Sequence, residues 1–179
     1  MKKSFLLAPL LLLLVLGTFS CKKINELLTF EITDTQSFKI PVTPLVGGLP
    51  VTLNLPIPVT NKASETFSKN NTRADLVKDV VLTKLTLTVT DPTTETFDFL
   101  QSIKISIGTD QNDKVVMAQL NNVPRGAKSI ELVSTNAKLD KYIKAPNYTL
   151  YTEVTVRQAT TREITVQEET RFKVTADPL

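Results

Sequence analysis

Residues 51–60 have the sequence VTLNLPIPVT, in which aliphatic residues alternate strictly with polar residues or proline. A period of two places the aliphatic side chains on one face of an extended strand and the others on the opposite face. The segment therefore predicts a β-strand with one face packed on a core. Pro56 and Pro58 lack the backbone N–H group that a central strand needs, so we expect this strand at the edge of a sheet.

The same period of two, with many threonine and β-branched residues, recurs along most of the chain after residue 26. The further segments with this pattern are 28–32, 38–42, 81–89, 103–107, 116–120, 130–132, 148–156, 164–166 and 172–174. Turn-forming residues separate most of these segments. Val46–Leu49 predicts a tight hairpin turn, and the polar run 167–169 predicts a bulge or a turn. Residues 72–79 and 136–145 predict two short helices.

These patterns predict an all-β domain, an antiparallel β-sandwich of about nine strands with one or two short helices. No long helix separates the strands, so neighbouring strands are expected to pair antiparallel. A closed sheet is the alternative that the pattern leaves open. In strand pattern the sequence resembles immunoglobulin-like and fibronectin III-like domains, but with one Cys and no Trp it lacks the disulfide and core tryptophan of antibody domains.

The composition argues against catalysis and against nucleic-acid binding. The chain has no histidine, which removes the commonest general base and the commonest zinc ligand. No set of nucleophile and base, and no metal-ligand motif, is visible in the sequence. The 21 basic and 18 acidic residues are dispersed, with no long run of one sign. We therefore expect no enzyme activity, no cofactor, no metal and no nucleic-acid partner.

The N-terminus has the parts of an export signal. A basic start, MKK, precedes the apolar run Phe5–Leu16, and the sequence GTFS leads directly into Cys21, the one cysteine of the chain. The run is short for a membrane span and has the length of a signal-peptide core. The end of this segment resembles the lipobox of bacterial lipoprotein precursors, where signal peptidase II cuts before a lipid-bearing cysteine. It departs from that pattern at Thr18, where leucine is usual, and at Phe19, where a small residue is commoner.

The resemblance implies a signal peptide over residues 1–20 and a lipidated tether over 21–26, and the strand pattern predicts a single β-sandwich domain over 27–179. Acyl chains such as palmitate on Cys21 would hold the protein in a membrane, since each buried CH₂ group contributes about 0.8 kcal/mol. Lys22, and not aspartate, follows the cysteine, which implies the outer membrane. No acidic residue follows directly either, which favours the side that faces the periplasm.

The segment Ile40–Asn61 is the other unusual stretch, because its 22 residues include no charged side chain. Exposed edge strands normally carry charges that prevent pairing with other chains. Two interpretations stay open. The segment is an uncharged hairpin packed on the sandwich, or the side chains of Val51, Leu53, Leu55 and Ile57 form an apolar contact patch for a protein, an apolar ligand or a membrane.

Weaker candidate sites each have an ordinary structural interpretation. Asp110, Asn112 and Asp113 carry oxygen atoms that suit Ca²⁺, but hairpin tips favour the same residues. Glu168 and Glu169 are adjacent carboxylates, which on a strand point to opposite faces and do not form a catalytic pair. Tyr151 is a candidate contact residue, although a solvated strand face explains it more simply.

The sequence thus predicts a non-catalytic, membrane-anchored lipoprotein of the cell envelope that acts as a binding or structural module. Its partners would be the membrane, through the lipid on Cys21, and an envelope protein that the sequence does not identify. The alternative is a periplasmic carrier or chaperone for an apolar ligand that uses the segment Ile40–Asn61. An enzyme is the third class. A carrier needs an internal cavity of several hundred Å³ or an open apolar groove.

Overall fold

In the computed structural model, which describes residues 29–177, two antiparallel sheets pack face to face. The strands are β1 (Thr29–Ile40), β2 (Val51–Thr60), β3 (Val77–Asp91), β4 (Leu100–Gly108), β5 (Val115–Leu120), β6 (Ser129–Glu131), β7 (Val133–Ser134), β8 (Asn147–Val156) and β9 (Ile164–Ala176). Two short helices, α1 (Ala63–Lys69) and α2 (Asp140–Lys144), close one end of the sandwich. The predicted all-β sandwich is confirmed.

The strand order is β1-β9-β3-β6 in one sheet and β2-β8-β4-β5-β7 in the other. Strands β1 and β2 follow each other in the chain but lie in different sheets, each at an edge. The prolines of β2 therefore predicted its edge position correctly. The alternative of a closed sheet is wrong, because the strands of the described residues form two separate sheets, each of which ends in two edge strands.

The core lies between the sheets and is filled by the inward side chains of the longest strands. Along β9, each even-numbered residue from Ile164 to Ala176 is buried, and the odd-numbered residues between them are exposed or half-buried. The even-numbered residues of β8 are buried in the same way. Burying a large aliphatic or aromatic side chain contributes roughly 1.5–3 kcal/mol, so these two central strands carry much of the stability.

Three local predictions were wrong. Residues 167–169 form neither a turn nor a bulge, since β9 pairs without interruption in this stretch with β1 on one side and with β3 on the other. The two predicted segments are parts of one strand, β1, which includes their residues 29–32 and 38–40 and pairs with β9 throughout. Residues 72–79 contain a single 3₁₀ turn, Ala74–Leu76, before β3 begins. Helix α1 precedes this 3₁₀ turn in the chain. It starts where the Asn61 side chain accepts a hydrogen bond from the backbone N–H of Ala63 at 2.8 Å.

The turn at Val46–Leu49 does form, with the Leu49 N–H donating to the Val46 carbonyl at 3.3 Å. Gly47 and Gly48 adopt positive φ angles of 64° and 72°, which glycine reaches without steric cost. The turn joins strands of different sheets, so it is not a hairpin turn. Alternation in the sequence shows the strands on either side of a turn, but it does not show whether those strands pair.

Candidate functional site

The two ends of the sandwich are distinguished by where the chain enters. Strand β1 starts at Thr29, which pairs with Thr175, and ends at Ile40, which pairs with Ile164. Its 12 residues put these ends roughly 36 Å apart, at about 3.3 Å for each residue step. Cys21, the predicted lipidation site, lies outside the described residues, eight positions before Thr29. The end at Thr29 is therefore the end that a lipid on Cys21 would hold near a membrane.

At the opposite end, residues 41–50 form a loop whose base is fixed by hydrogen bonds. The N–H of Thr43 donates to Oγ1 of Thr160 at 2.8 Å, and the N–H of Thr160 donates to the carbonyl of Thr43 at 3.2 Å. Both threonines are buried. Leu45 packs against the core from the same loop. The base of the 41–50 loop is therefore fixed by contacts within the protein.

The same loop exposes aliphatic side chains to solvent. Val46 is 81% exposed, Leu49 is 69% exposed and Val42 is 54% exposed. No charged residue lies within this loop or in the strand that follows it. An exposed apolar surface on an ordered loop is typical of a contact site for another molecule. The absence of charged residues in the sequence indicated this region. The strict alternation at 51–60, however, predicted the contact surface on the strand and not on the loop.

The four residues predicted as an apolar contact patch lie on the inward face of β2. Val51, Leu53, Leu55 and Ile57 are all half-buried. Leu53, Leu55 and Ile57 pack against the core. These side chains therefore contribute to the edge of the core, and the well-exposed aliphatic side chains of the uncharged segment lie in the adjacent 41–50 loop.

Leu55→Asp is expected to destabilise the fold by about 2 kcal/mol, because it replaces a half-buried side chain with a charge that faces the core. Thr52→Asp is the matched control, since Thr52 is exposed on the outward face of the same strand. The melting temperatures of the two variants test this placement. Equal melting temperatures would show that the side chain of Leu55 is free of the core.

A second unusual site is an acid inside the sandwich. Glu168 is 1% exposed, and both of its carboxylate oxygens are buried without a hydrogen-bond partner in the described structure. Thr152, on β8 of the other sheet, is also 1% exposed, and its hydroxyl likewise has no partner there. Tyr148 of β8 and Phe172 of β9 line the same small cavity. Thr152 lies four residues after Tyr148, and Glu168 lies four residues before Phe172. In both strands this step leads toward the loop that joins β8 to β9. Glu168 and Thr152 therefore lie at about the same height between the sheets.

Burial and a nearby charge determine the protonation of this acid. Removal from water disfavours the carboxylate and raises the pKa of Glu168 to about 8, and the negative charge of Asp34 adds to the shift. Asp34 accepts a hydrogen bond from the hydroxyl of Tyr148 at 3.2 Å. Glu168 is thus held mainly as a neutral acid at neutral pH. Its depth in the core places it out of reach of a substrate.

The other candidate residues are placed by the β4–β5 hairpin loop and by β8. The Asp113 carboxylate accepts hydrogen bonds from the backbone N–H groups of Thr109 and Asp110 at 2.8 and 3.1 Å, and it pairs with Lys141 at 2.8 Å. These contacts, the one with Lys141 first, lower the pKa of Asp113. Asp113 therefore organises the hairpin loop. Tyr151 lies half-buried on the outer face of β8, as the alternation predicts.

Comparison with known proteins finds only distant structural likeness. No protein-family model matches this sequence, and no curated protein is significantly similar to it. The chain is similar to the decameric BFDV capsid protein at 13% identity and a TM-score of 0.43, over 84% of this chain and 98% of that one. A structure of Desmodium yellow mottle tymovirus matches at 10% identity and a TM-score of 0.24, over 84% of this chain and 90% of that one. Likeness at this level says nothing about function.

Proposed function

We propose that this protein is a non-catalytic lipoprotein of the cell envelope, anchored in the outer membrane through Cys21, that binds an envelope protein with its 41–50 loop. The observation that supports this proposal is the exposure of Val46 and Leu49 on an ordered, uncharged loop. This loop lies at the end of the sandwich opposite Thr29, where the tether from the lipid enters. An anchor at one end and an apolar contact surface at the other suit a module that presents a binding site away from its membrane.

The ordered base of the loop favours binding. The buried bonds between Thr43 and Thr160 fix the base of the loop before contact, so less conformational entropy is lost when a partner binds. The aliphatic side chains would then lose water-exposed area on contact, at about 25 cal/mol for each Å². The absence of charge in the loop removes the cost of desolvating an ion.

The test uses the full-length protein in the envelope of its own organism, with a photo-crosslinking amino acid at Val42. We expect a specific adduct with an envelope protein, and at least about tenfold less of it when Val46→Asp and Leu49→Asp are combined, because two carboxylates would have to be desolvated at the contact. Val133→Asp is the matched control, since Val133 is 66% exposed on another part of the surface. Adducts that persist in the double variant would refute a role for the loop.

The carrier alternative has less support. Side chains of Leu53, Leu55 and Ile57, which an apolar groove would need to expose, pack against the core. Cavities beside them are open to solvent and lined partly by polar residues.

No helix in the described residues is long and apolar enough to cross a membrane.

A further inference from the structure

A cavity of about 480 Å³ lies on the outer face of the second sheet, where the loop between β4 and β5 extends over β8 and β2. This volume falls within the range of about 300–1,000 Å³ that is usual for small-molecule sites. Its walls are formed by Asn54, Leu55 and Pro56 of β2, by Tyr151 and Thr152 of β8, and by Gln111 and Lys114 of the loop. The cavity is separate from the 41–50 loop, so an inference about it goes beyond the proposed function.

The cavity is built from fixed elements. Pro56 and Tyr151 are direct cross-strand partners, so their side chains share the outer face of the sheet. The loop above them is held by Asp113, whose carboxylate binds two backbone N–H groups of the loop and the ammonium group of Lys141. The hydroxyl of Tyr142 donates to the carbonyl of Asp113. The walls are therefore in place before a ligand binds.

The walls carry one uncompensated positive charge. The ammonium nitrogen of Lys114 lies 4.6 Å from the centre of the Tyr151 ring, and within residues 29–177 it forms no ion pair. The acids beside it are neutralised elsewhere, since Asp113 pairs with Lys141 at 2.8 Å and Glu153 pairs with Lys104 at 2.7 Å. Asp110 accepts the Asn112 N–H at 2.6 Å and does not line the cavity.

Four other lining residues provide hydrogen bonds and a flat surface. The side-chain amides of Asn54 and Gln111 and the hydroxyl of Tyr151 have no hydrogen-bond partner among the described residues, so their donors and acceptors are available to a ligand. The rings of Tyr151 and Pro56 offer an apolar face on which a ring can stack. This set combines one cation, two amides and one stacking face.

We propose that this cavity binds an acidic sugar, a small hydroxylated ring with one carboxylate. The carboxylate would pair with the ammonium group of Lys114, the ring would stack on Tyr151, and the hydroxyl groups would bond to the amides of Asn54 and Gln111. A neutral sugar would leave the positive charge unpaired. An aromatic acid would leave the two amides without partners.

Calorimetric titration of the full-length protein in detergent micelles tests this proposal with galacturonate, galactose and benzoate. We expect saturable binding of galacturonate, and binding of galactose and of benzoate that is at least about tenfold weaker, the factor that one hydrogen bond to a charged group contributes. Lys114→Gln should weaken galacturonate binding about tenfold and remove its advantage over galactose. Lys69→Gln, at an exposed lysine at the end of α1, should leave binding unchanged.

Two further results bear on the assignment. Tyr151→Ala should abolish galacturonate binding while the melting temperature stays close to that of the wild type, because Tyr151 lies on the outer face and not in the core. Failure of galacturonate to bind, equal binding by Lys114→Gln, or benzoate that binds as tightly as galacturonate would each overturn the proposal. None of these outcomes depends on Val46 or Leu49, so they are distinct from a failure of the proposed function.

Discussion

Glu168→Gln is expected to stabilise this protein by roughly 4–5 kcal/mol at pH 9 and to change its stability little at pH 4. Glu168 is a buried carboxyl without a hydrogen-bond partner in the described structure, and its pKa is raised to about 8. Glutamine has nearly the same shape and cannot ionise. The substitution therefore removes the free-energy cost of keeping Glu168 protonated, or of burying its charge, and preserves the packing of the core.

The direction of the pH dependence follows from where the proton is lost. In the unfolded chain Glu168 titrates near its ordinary pKa of 4.5, and in the folded chain it titrates near 8. Between these two values the folded state binds the additional proton, so the free energy of unfolding falls as pH rises, by about 1.4 kcal/mol for each pH unit. Below pH 4.5 both states are protonated, and above pH 8 both are ionised, so this residue adds no slope there.

Urea unfolding of the wild type and of Glu168→Gln at pH 4, 7 and 9 measures this effect. The matched control is Glu169→Gln, because Glu169 is the next residue on β9, faces outward and pairs with Arg171 at 3.0 Å. We expect the control to shift stability by less than about 1 kcal/mol at each pH. A wild type whose stability is flat between pH 5 and 8, or a Glu168→Gln variant that is less stable at pH 9, would contradict a neutral buried acid.

The outward or inward direction of each side chain was predictable from the sequence, because it depends on alternation alone. The adjacent pair Glu168 and Glu169 was expected to point to opposite faces, and one is buried while the other is half-buried on the outer face. The polar run at 167–169 nevertheless predicted a bulge or a turn, since the apolar alternation of the sequence stops there. Pairing with β1, whose residues lie more than 120 positions earlier in the chain, carries β9 through this run.

The assignment of strands to sheets, and the two candidate binding sites, could not be read from local patterns. Strands β1 and β2 flank a glycine turn as hairpin strands do, yet they pair with β9 and β8, which lie more than 85 positions along the chain. The cavity combines Asn54 with Lys114 and Tyr151, which only the register of β2, β8 and the β4–β5 loop brings together. Alternation in the sequence predicts which face of its strand a side chain occupies. Which strands become neighbours depends on pairing between distant parts of the chain.

Cys21→Ser is expected to move the protein from the membrane fraction to the soluble fraction almost completely. If Cys21 carries a diacylglycerol and an N-linked acyl chain, the buried CH₂ groups contribute more than about 10 kcal/mol to membrane binding. Serine offers no thiol for this lipid, and Lys22 and Lys23 alone contribute only about 1 kcal/mol each at an anionic surface. Fractionation of cells that produce each variant measures the change, and mass spectrometry of the wild-type N-terminus identifies the lipid.

This substitution should leave the stability of the domain unchanged, because position 21 lies eight residues before β1, the first strand described. We therefore expect equal melting temperatures for the wild type and Cys21→Ser, with Lys23→Ala as a control that stays in the membrane. Residues 22–28 reach at most about 25 Å when extended, so the lipid would keep the Thr29 end of the sandwich close to the bilayer. A wild-type N-terminus with an unmodified Cys21, or a Cys21→Ser variant that remains in the membrane after a high-salt wash, would disprove the anchor and with it the orientation of the 41–50 loop.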